Sequence, residues 1–345
     1  MKAHVPLPPL VGAAMFLACA CVPASLAARQ RPPILDMHLH ALGVDDQGPA
    51  PVAVCAPFPG FPAWDQRQPY LETFMGMSKR PECASAIWSP DTDAELRDRT
   101  IEIMERLNVY GVLSGPTERV SAWREHAPGR FLPGLAFDVA RNPTPPDSLR
   151  ALWTAGRLEV LAEVTNQYSG VAPGDERMEP YWTLAQELDL PVGIHMGPGP
   201  PGGIYLGQTD YRARLSSALL LEDVLVRHPA LRVYIMHAGF PLLDDLLALL
   251  YAHPQVYVEL GVIDFTRPRA DFERYLRAIV EAGFADRVMF GSDQMVWPEA
   301  IERAVAAIAE APFLTDGQKR AIFYDNAARF LRLDEAERER HRRGG

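Results

Sequence analysis

Positive charge is in short supply in this chain. Its 345 residues include 34 Lys and Arg against 44 Asp and Glu, a formal net charge of −10. Such a balance repels the phosphates of a nucleic acid and argues against that partner. A Gly-rich phosphate fingerprint is also missing. After the first short apolar run beyond the N-terminus stands ALGVDDQGPAP, which weighs against a doubly wound dinucleotide fold. Cysteine is sparse, with four in the chain. Apolar residues are plentiful at 48%, and 32 prolines sit mostly between apolar segments. This is globular composition with ample length for a core, in the manner of a loop-rich enzyme rather than a helical bundle.

The N-terminus reads as a leader. Lys2 and His4 precede VPLPPLVGAAMFLACACVPASLA, which has no charged residue, and Arg29 follows. That layout predicts a signal peptide over residues 1–27, secretion or delivery to the periplasm, and a mature form without a transmembrane span. A lipid anchor is the alternative, since Leu17-Ala18-Cys19 resembles part of a lipoprotein box. Residues 28–345 then form one domain. Export leaves Cys55 and Cys83 as an even pair in an oxidising compartment, which predicts a disulfide; two free thiols or thiolate ligands are the alternatives. A bond closing that loop would remove about 3–4 kcal/mol of denatured-state entropy.

Beyond residue 90, apolar runs alternate with helical patterns. With ILDMHLH at 34–40 counted as the first, the runs are ILDMHLH, VYGVLSG, RFLPGLAFDV, LEVLAEVTNQY, LPVGIHMG, LRVYIMHAG, QVYVELGV and DRVMFGSDQ. Eight strands, each followed by a helical stretch, predict a (β/α)8 TIM barrel with its parallel strands buried on both faces. One interval breaks the rhythm. Residues 42–90, rich in Pro and aromatics (Phe58, Phe61, Trp64, Tyr70, Trp88), form a lid-like insertion after strand one.

In a barrel of this type, chemistry gathers at the C-terminal strand ends. There stand His38 and His40, Glu163, His195, His237 and Asp293. Residues two apart on a strand face the same way, so His38 and His40 aim at one spot. A histidine alone at a strand end usually just fills its hydrogen bonds. His126 lies near a helix end, His228 and His253 precede proline, and His341 lies in a charged tail. Here four histidines converge, and three imidazoles with a carboxylate make a ligand set for Zn²⁺ or another first-row divalent ion. Glu163 reads either as a ligand or as a carboxylate orienting a histidine. The run GPGPPGG at 197–203 and the residues Gln167, Tyr168, Trp297, Arg267 and Arg269 lie just past strand ends, as pocket-shaping or ordinary loop residues.

The motifs DMHLHA, PVGIHMG, VYIMHAGFP, MFGSD and YDNAARFL resemble the amidohydrolase superfamily, in the amidohydrolase-related branch (amidohydrolase family 2) that holds metal-dependent hydrolases and some carboxylate decarboxylases. The resemblance spans residues 34–333 apart from most of 42–90. It implies one metal held by His38, His40, His195 and Asp293, with His237 assisting catalysis or binding a second ion. The carboxylated lysine that two-metal relatives carry on strand four is missing from LEVLAEVTNQY, which leaves Glu163 as the bridge in that version. The implied reaction is hydrolysis of a small-molecule amide, ester or lactone by water that the metal activates, with Asp293 taking the proton. The rivals are a decarboxylase whose metal binds the substrate, with Arg67, Arg80, Arg267 or Arg269 anchoring a carboxylate, and a secreted binding protein without turnover. Substrate, metal identity and any homo-oligomer are not fixed by the sequence.

Overall fold

A computed structural model of the chain describes residues 1–4, 31–61 and 63–344. The expected leader lies almost wholly outside the described residues, as do Cys19 and Cys21. Arg31–Gly345 forms one unit, and among the described residues no helix is long and apolar enough to cross a membrane.

The strands are β1 (Ile34–His40), β2 (Ala53–Cys55), β3 (Ala86–Trp88), β4 (Val109–Ser114), β5 (Phe131–Pro133), β6 (Leu161–Val164), β7 (Val192–His195), β8 (Val233–Met236), β9 (Tyr257–Glu259) and β10 (Val288–Met289). All eight runs read from the sequence are strands, namely β1 and β4 to β10. They pair in parallel as β1-β4-β5 and β10-β9-β8-β7-β6. Isolated parallel bridges Gly134–Val160 and Phe137–Val164 connect the neighbourhoods of β5 and β6. Near the other edges, Met37 N–H donates to Phe290 O at 2.9 Å and Asp293 N–H to His38 O at 2.8 Å.

Alternation along the strands separates two apolar clusters. Leu35, Met37, Tyr110, Val112, Val160, Ala162, Tyr234 and Met236 share one cluster with Tyr324 and Phe330 from the C-terminal helices. Leu39, Val109, Leu113, Leu161, Val164, Val192, Ile194, Val233 and Ile235 pack in the other, with residues of the surrounding helices. Strict alternation would send Leu39 to the side of Leu35 and Met37 and turn His38 and His40 away. A register slip between Asp36 and Leu39 reverses this. A second slip between Leu161 and Val164 does the same for Glu163, which follows Ala162. One residue of slip changes the face of everything downstream.

The segment 42–90 has structure of its own. β2 and β3 form an antiparallel pair, Tyr70–Lys79 is a helix, and Cys55 and Cys83 are joined by a disulfide. Its contacts lie beyond the C-terminal strand ends. Val52 O accepts from Trp297 Nε1 at 3.0 Å, Phe58 N–H donates to Thr266 O at 2.9 Å, and Tyr70 OH donates to Pro201 O at 2.8 Å. The rings of Trp64 and Tyr70 pack on Tyr205 with centroids 4.6 and 5.8 Å away.

At the other end of the strands, helices Asn326–Phe330 and Glu335–Arg342 finish the unit. His341 is buried there rather than solvated, which corrects its reading as a tail residue. Its ring stacks on Tyr110 at 3.8 Å. A flat aromatic partner was not visible from the run of charges around it.

Candidate metal centre

Six side chains from five strand ends meet in a buried cluster. His38 and His40 close β1, Glu163 is near the end of β6, His195 ends β7, His237 follows β8 and Asp293 lies past β10. All are at most 8% exposed. His38 Nε2 and His40 Nε2 face each other at 3.0 Å, and Asp293 Oδ1 lies 3.6 and 3.0 Å from them. His195 Nδ1 and His237 Nε2 face each other at 3.1 Å. Glu163 stands between the two pairs. Its Oε1 is 2.5 Å from His195 Nδ1 and 3.7 Å from His237 Nε2. Its Oε2 is 3.7 Å from His40 Nε2 and 3.9 Å from His38 Nε2.

The sequence-expected quartet is thus divided. Three sets have ligand atoms within 4.8 Å of one another: His38, His40 and Glu163; Glu163, His195 and His237; His38, His237 and Asp293. His195 joins Glu163 and His237 and enters neither set that contains His38. The donor chemistry fits first-row divalent ions. Two nitrogens about 2.0–2.1 Å from a tetrahedral ion stand roughly 3.3 Å apart, close to both histidine pairs.

Burial and mutual charge set the protonation of the cluster without metal. Burial presses His38 toward neutrality, but Asp293 and Glu259 outweigh it and hold its pKa well above the usual value. Burial opposes the charge of Asp293, yet His38 and His40 bring its pKa down to about 2. Glu163 is likewise held well below the carboxylate range against burial, chiefly by His195. His195 goes the other way, lowered by burial. His237 and Asp293 sit at φ 58° and 49°, a left-handed backbone that non-glycine residues adopt at a cost and that clusters at functional sites.

Tyr168 lies at the edge, its ring centroid 4.6 Å from that of His195. Burial and the charges of Glu163 and Asp293 push its phenol well above the usual range, so it stays a donor. Gln167 is less free than its position suggested. Its amide donates to Gly197 O at 3.1 Å and Ser216 Oγ at 2.9 Å, pinning the loop after His195. Trp297 is tied to Val52, Arg267 pairs with Asp271 at 2.9 Å and stacks over Phe240, and Arg269 pairs with Glu273 at 2.6 Å.

Three buried carboxylates escaped the sequence reading. Glu259 ends β9 and accepts from His38 Nδ1 at 3.0 Å and His237 N–H at 2.7 Å. Asp36 Oδ1 accepts from His38 N–H at 2.9 Å and Ser292 N–H at 3.0 Å, and burial pushes its pKa up to about 7. Asp264 is 4% exposed with no partner for either oxygen among the described residues. Burial, then the charges of Glu259, Asp36 and Asp293, raise it well above the usual value. The rule that singled out Asp293, an acid at the end of an apolar strand, applies equally to Glu259 in QVYVELGV.

A family model described as amidohydrolase matches residues 35–333. The chain belongs to amidohydrolase family 2. This amidohydrolase is similar in fold to three solved structures. One is a probable 2-pyrone-4,6-dicarboxylic acid hydrolase from Acinetobacter baumannii with citric acid bound. It is 16% identical, with 87% of this chain and 99% of that chain covered and a TM-score of 0.56. The second is a 4-oxalomesaconate hydratase from Rhodopseudomonas palustris, 17% identical over 88% and 97% of the two chains, TM-score 0.51. The third is a 5-carboxyvanillate decarboxylase variant from Novosphingobium aromaticivorans with bound manganese, 15% identical over 69% and 81%, TM-score 0.51. No curated protein matches the chain in sequence. Members of this family are enzymes, and the fold of this amidohydrolase accompanies hydrolases, decarboxylases and hydratases alike.

Proposed function

We propose that the protein is an exported hydrolase, dependent on divalent metal, that cleaves an amide, ester or lactone of a small molecule at the mouth of a closed (β/α)8 barrel. The observation that carries the metal reading is Glu163, whose two oxygens face separate histidine pairs. Glu163 would then serve two ions, with His38, His40 and Asp293 the residues that would hold one and His195 and His237 those that would hold the other. Zinc suits these nitrogen and oxygen donors; manganese, as found in the decarboxylase above, is the alternative. An ion held here supplies a Lewis acid for the carbonyl oxygen and lowers the pKa of water toward neutrality. Asp293, held ionised, accepts the proton from the attacking water and returns it to the leaving group. Tyr168, held protonated, donates a hydrogen bond to the carbonyl oxygen as charge develops on it. Segment 42–90 acts as a lid, clasped through Tyr70 and Trp64 to the loop at 197–207, and keeps bulk water away.

A decarboxylase needs a cation for the substrate carboxylate. Of the arginines read as carboxylate anchors, Arg67, Arg267 and Arg269 are engaged with Asp65, Asp271 and Glu273, which leaves Arg80 and the metal itself to bind a substrate carboxylate and keeps decarboxylation as the second reading. Export is supported by the apolar leader and by the Cys55–Cys83 bond, which suits an oxidising compartment. The test is product formation from a panel of esters, lactones, amides and aromatic carboxylates, with zinc or manganese added and then chelated. Metal-dependent hydrolysis supports the reading. Release of carbon dioxide from the carboxylates alone, or turnover unaffected by chelation, overturns it.

A further inference from the structure

Glu259 is the last residue of β9 and is fully buried. An ionised carboxylate there is costly unless its oxygens are satisfied. Oε1 accepts from His38 Nδ1 at 3.0 Å and from the backbone N–H of His237 at 2.7 Å. Oε2 accepts from Gly261 N–H at 2.6 Å. The space around it is kept clear by two glycines. A Cβ at Gly261 would lie 2.8 Å from Oε2, and one at Gly291 only 2.0 Å from it. Neither position tolerates a side chain while the carboxylate stays where it is.

We propose that Glu259 is a positioning residue that orients one histidine of each pair and thereby sets the metal affinity of both halves of the centre together. The inference rests on the metal reading above. On the first pair, the hydrogen bond keeps a proton on His38 Nδ1, so that the nitrogen left to give up its proton to a metal is Nε2, which faces His40 and Asp293. On the second pair, Glu259 acts twice. It holds the His237 backbone N–H, and with it the left-handed conformation at φ 58°. It also holds Gly261, whose carbonyl oxygen lies 2.8 Å from His237 Nδ1, so that His237 Nε2 is directed at Glu163 and His195. Glu163 joins the two pairs from the inside through its charge. Glu259 joins them from behind without touching the nitrogens that face each other.

The test is Glu259→Gln. The amide oxygen can still accept from His38 and His237, but the amide nitrogen then meets the Gly261 N–H donor to donor. Zinc content and zinc affinity, the latter by competition with a chromophoric chelator, are measured for wild type and variant, with the thermal midpoint of each metal-free form. The expected result is a loss of zinc affinity of about 10–100-fold, the usual effect of disturbing the group behind a ligand. Both ions weaken together, and the metal-free midpoint moves little. Wild-type zinc binding in the variant, or loss of a single ion with the other unaffected, overturns the proposal. A wild type that binds neither zinc nor manganese overturns the metal reading itself. Should the variant fail to fold, nitrogen-15 spectra of the histidine rings in zinc-loaded wild type decide. A proton on His38 Nδ1 with zinc on Nε2 is required, and the reverse assignment sinks the idea.

Discussion

Histidines are buried at both ends of the parallel strands, with opposite consequences. At the C-terminal ends, His38 is surrounded by Asp293 and Glu259, which lift its pKa despite burial. At the N-terminal ends, His341 lies between Tyr110 and Tyr324, with its Nδ1 hydrogen-bonded to the Tyr324 hydroxyl at 2.9 Å. Burial, with Arg340 and Arg130, lowers its pKa to about 4. Burial alone favours a neutral imidazole, and carboxylates decide whether that preference survives. The first environment gathers carboxylates that can hold a cation once the imidazoles give up their protons. The second is a packing device.

The largest difference between the ends is expected in function. Asp293→Ala or His38→Ala should lower turnover by about 10³-fold or more and strip the protein of metal. Metal analysis beside turnover checks this, and retained metal with activity within tenfold of wild type would erase the distinction. Next, His237→Asn should lower the chemical step by about 10²–10³-fold and reduce bound zinc from two ions per chain to one. A count of one in both proteins would return His237 to a role on the substrate and remove Glu163 as a bridge.

The His341 end should show itself in stability against pH. Its folded pKa is below the unfolded value near 6.5, so between about pH 4 and 6.5 the unfolded chain binds the proton and the folded chain does not. Stability therefore rises with pH through that window, is fully gained above it, and is lost as pH falls. After allowance for solvent screening the increment is about 1–2 kcal/mol. His341→Phe, which retains a flat ring on Tyr110, should flatten this part of the profile of thermal midpoint against pH. An unchanged slope would place the effect elsewhere. The smallest effect belongs to Arg267. With its guanidinium paired to Asp271, Arg267→Ala should cost less than about 1 kcal/mol and leave KM within about twofold. A tenfold rise in KM confined to carboxylate substrates would revive the decarboxylase reading.

The eight strands and the six residues of the cluster were legible because a strand buried on both faces writes an apolar run, and because polar residues at its end stand out. The grouping was not legible. It depends on two register slips, at 36–39 and 161–164, which leave no mark in composition. Glu259 meets the same rule as Asp293, an acid ending an apolar strand, and its three donors from His38, His237 and Gly261 are what separate it from an ordinary acid at the start of a loop. The pairing of Cys55 with Cys83 followed from the small number of cysteines left after the leader. The hairpin and helix between 42 and 90 did not, since Pro and aromatic residues mask short elements.

That insertion has one more consequence. The β2–β3 pair and the Cys55–Cys83 bond join its two ends before the chain returns to the strands. Whatever lies between them is a cassette on a closed stem. Residues 56–82 can lengthen, shorten or be traded for another sequence while the stem spares the eight strands from the change. Any replacement would still have to restore the contacts that Phe58, Trp64 and Tyr70 make to Thr266, Tyr205 and Pro201.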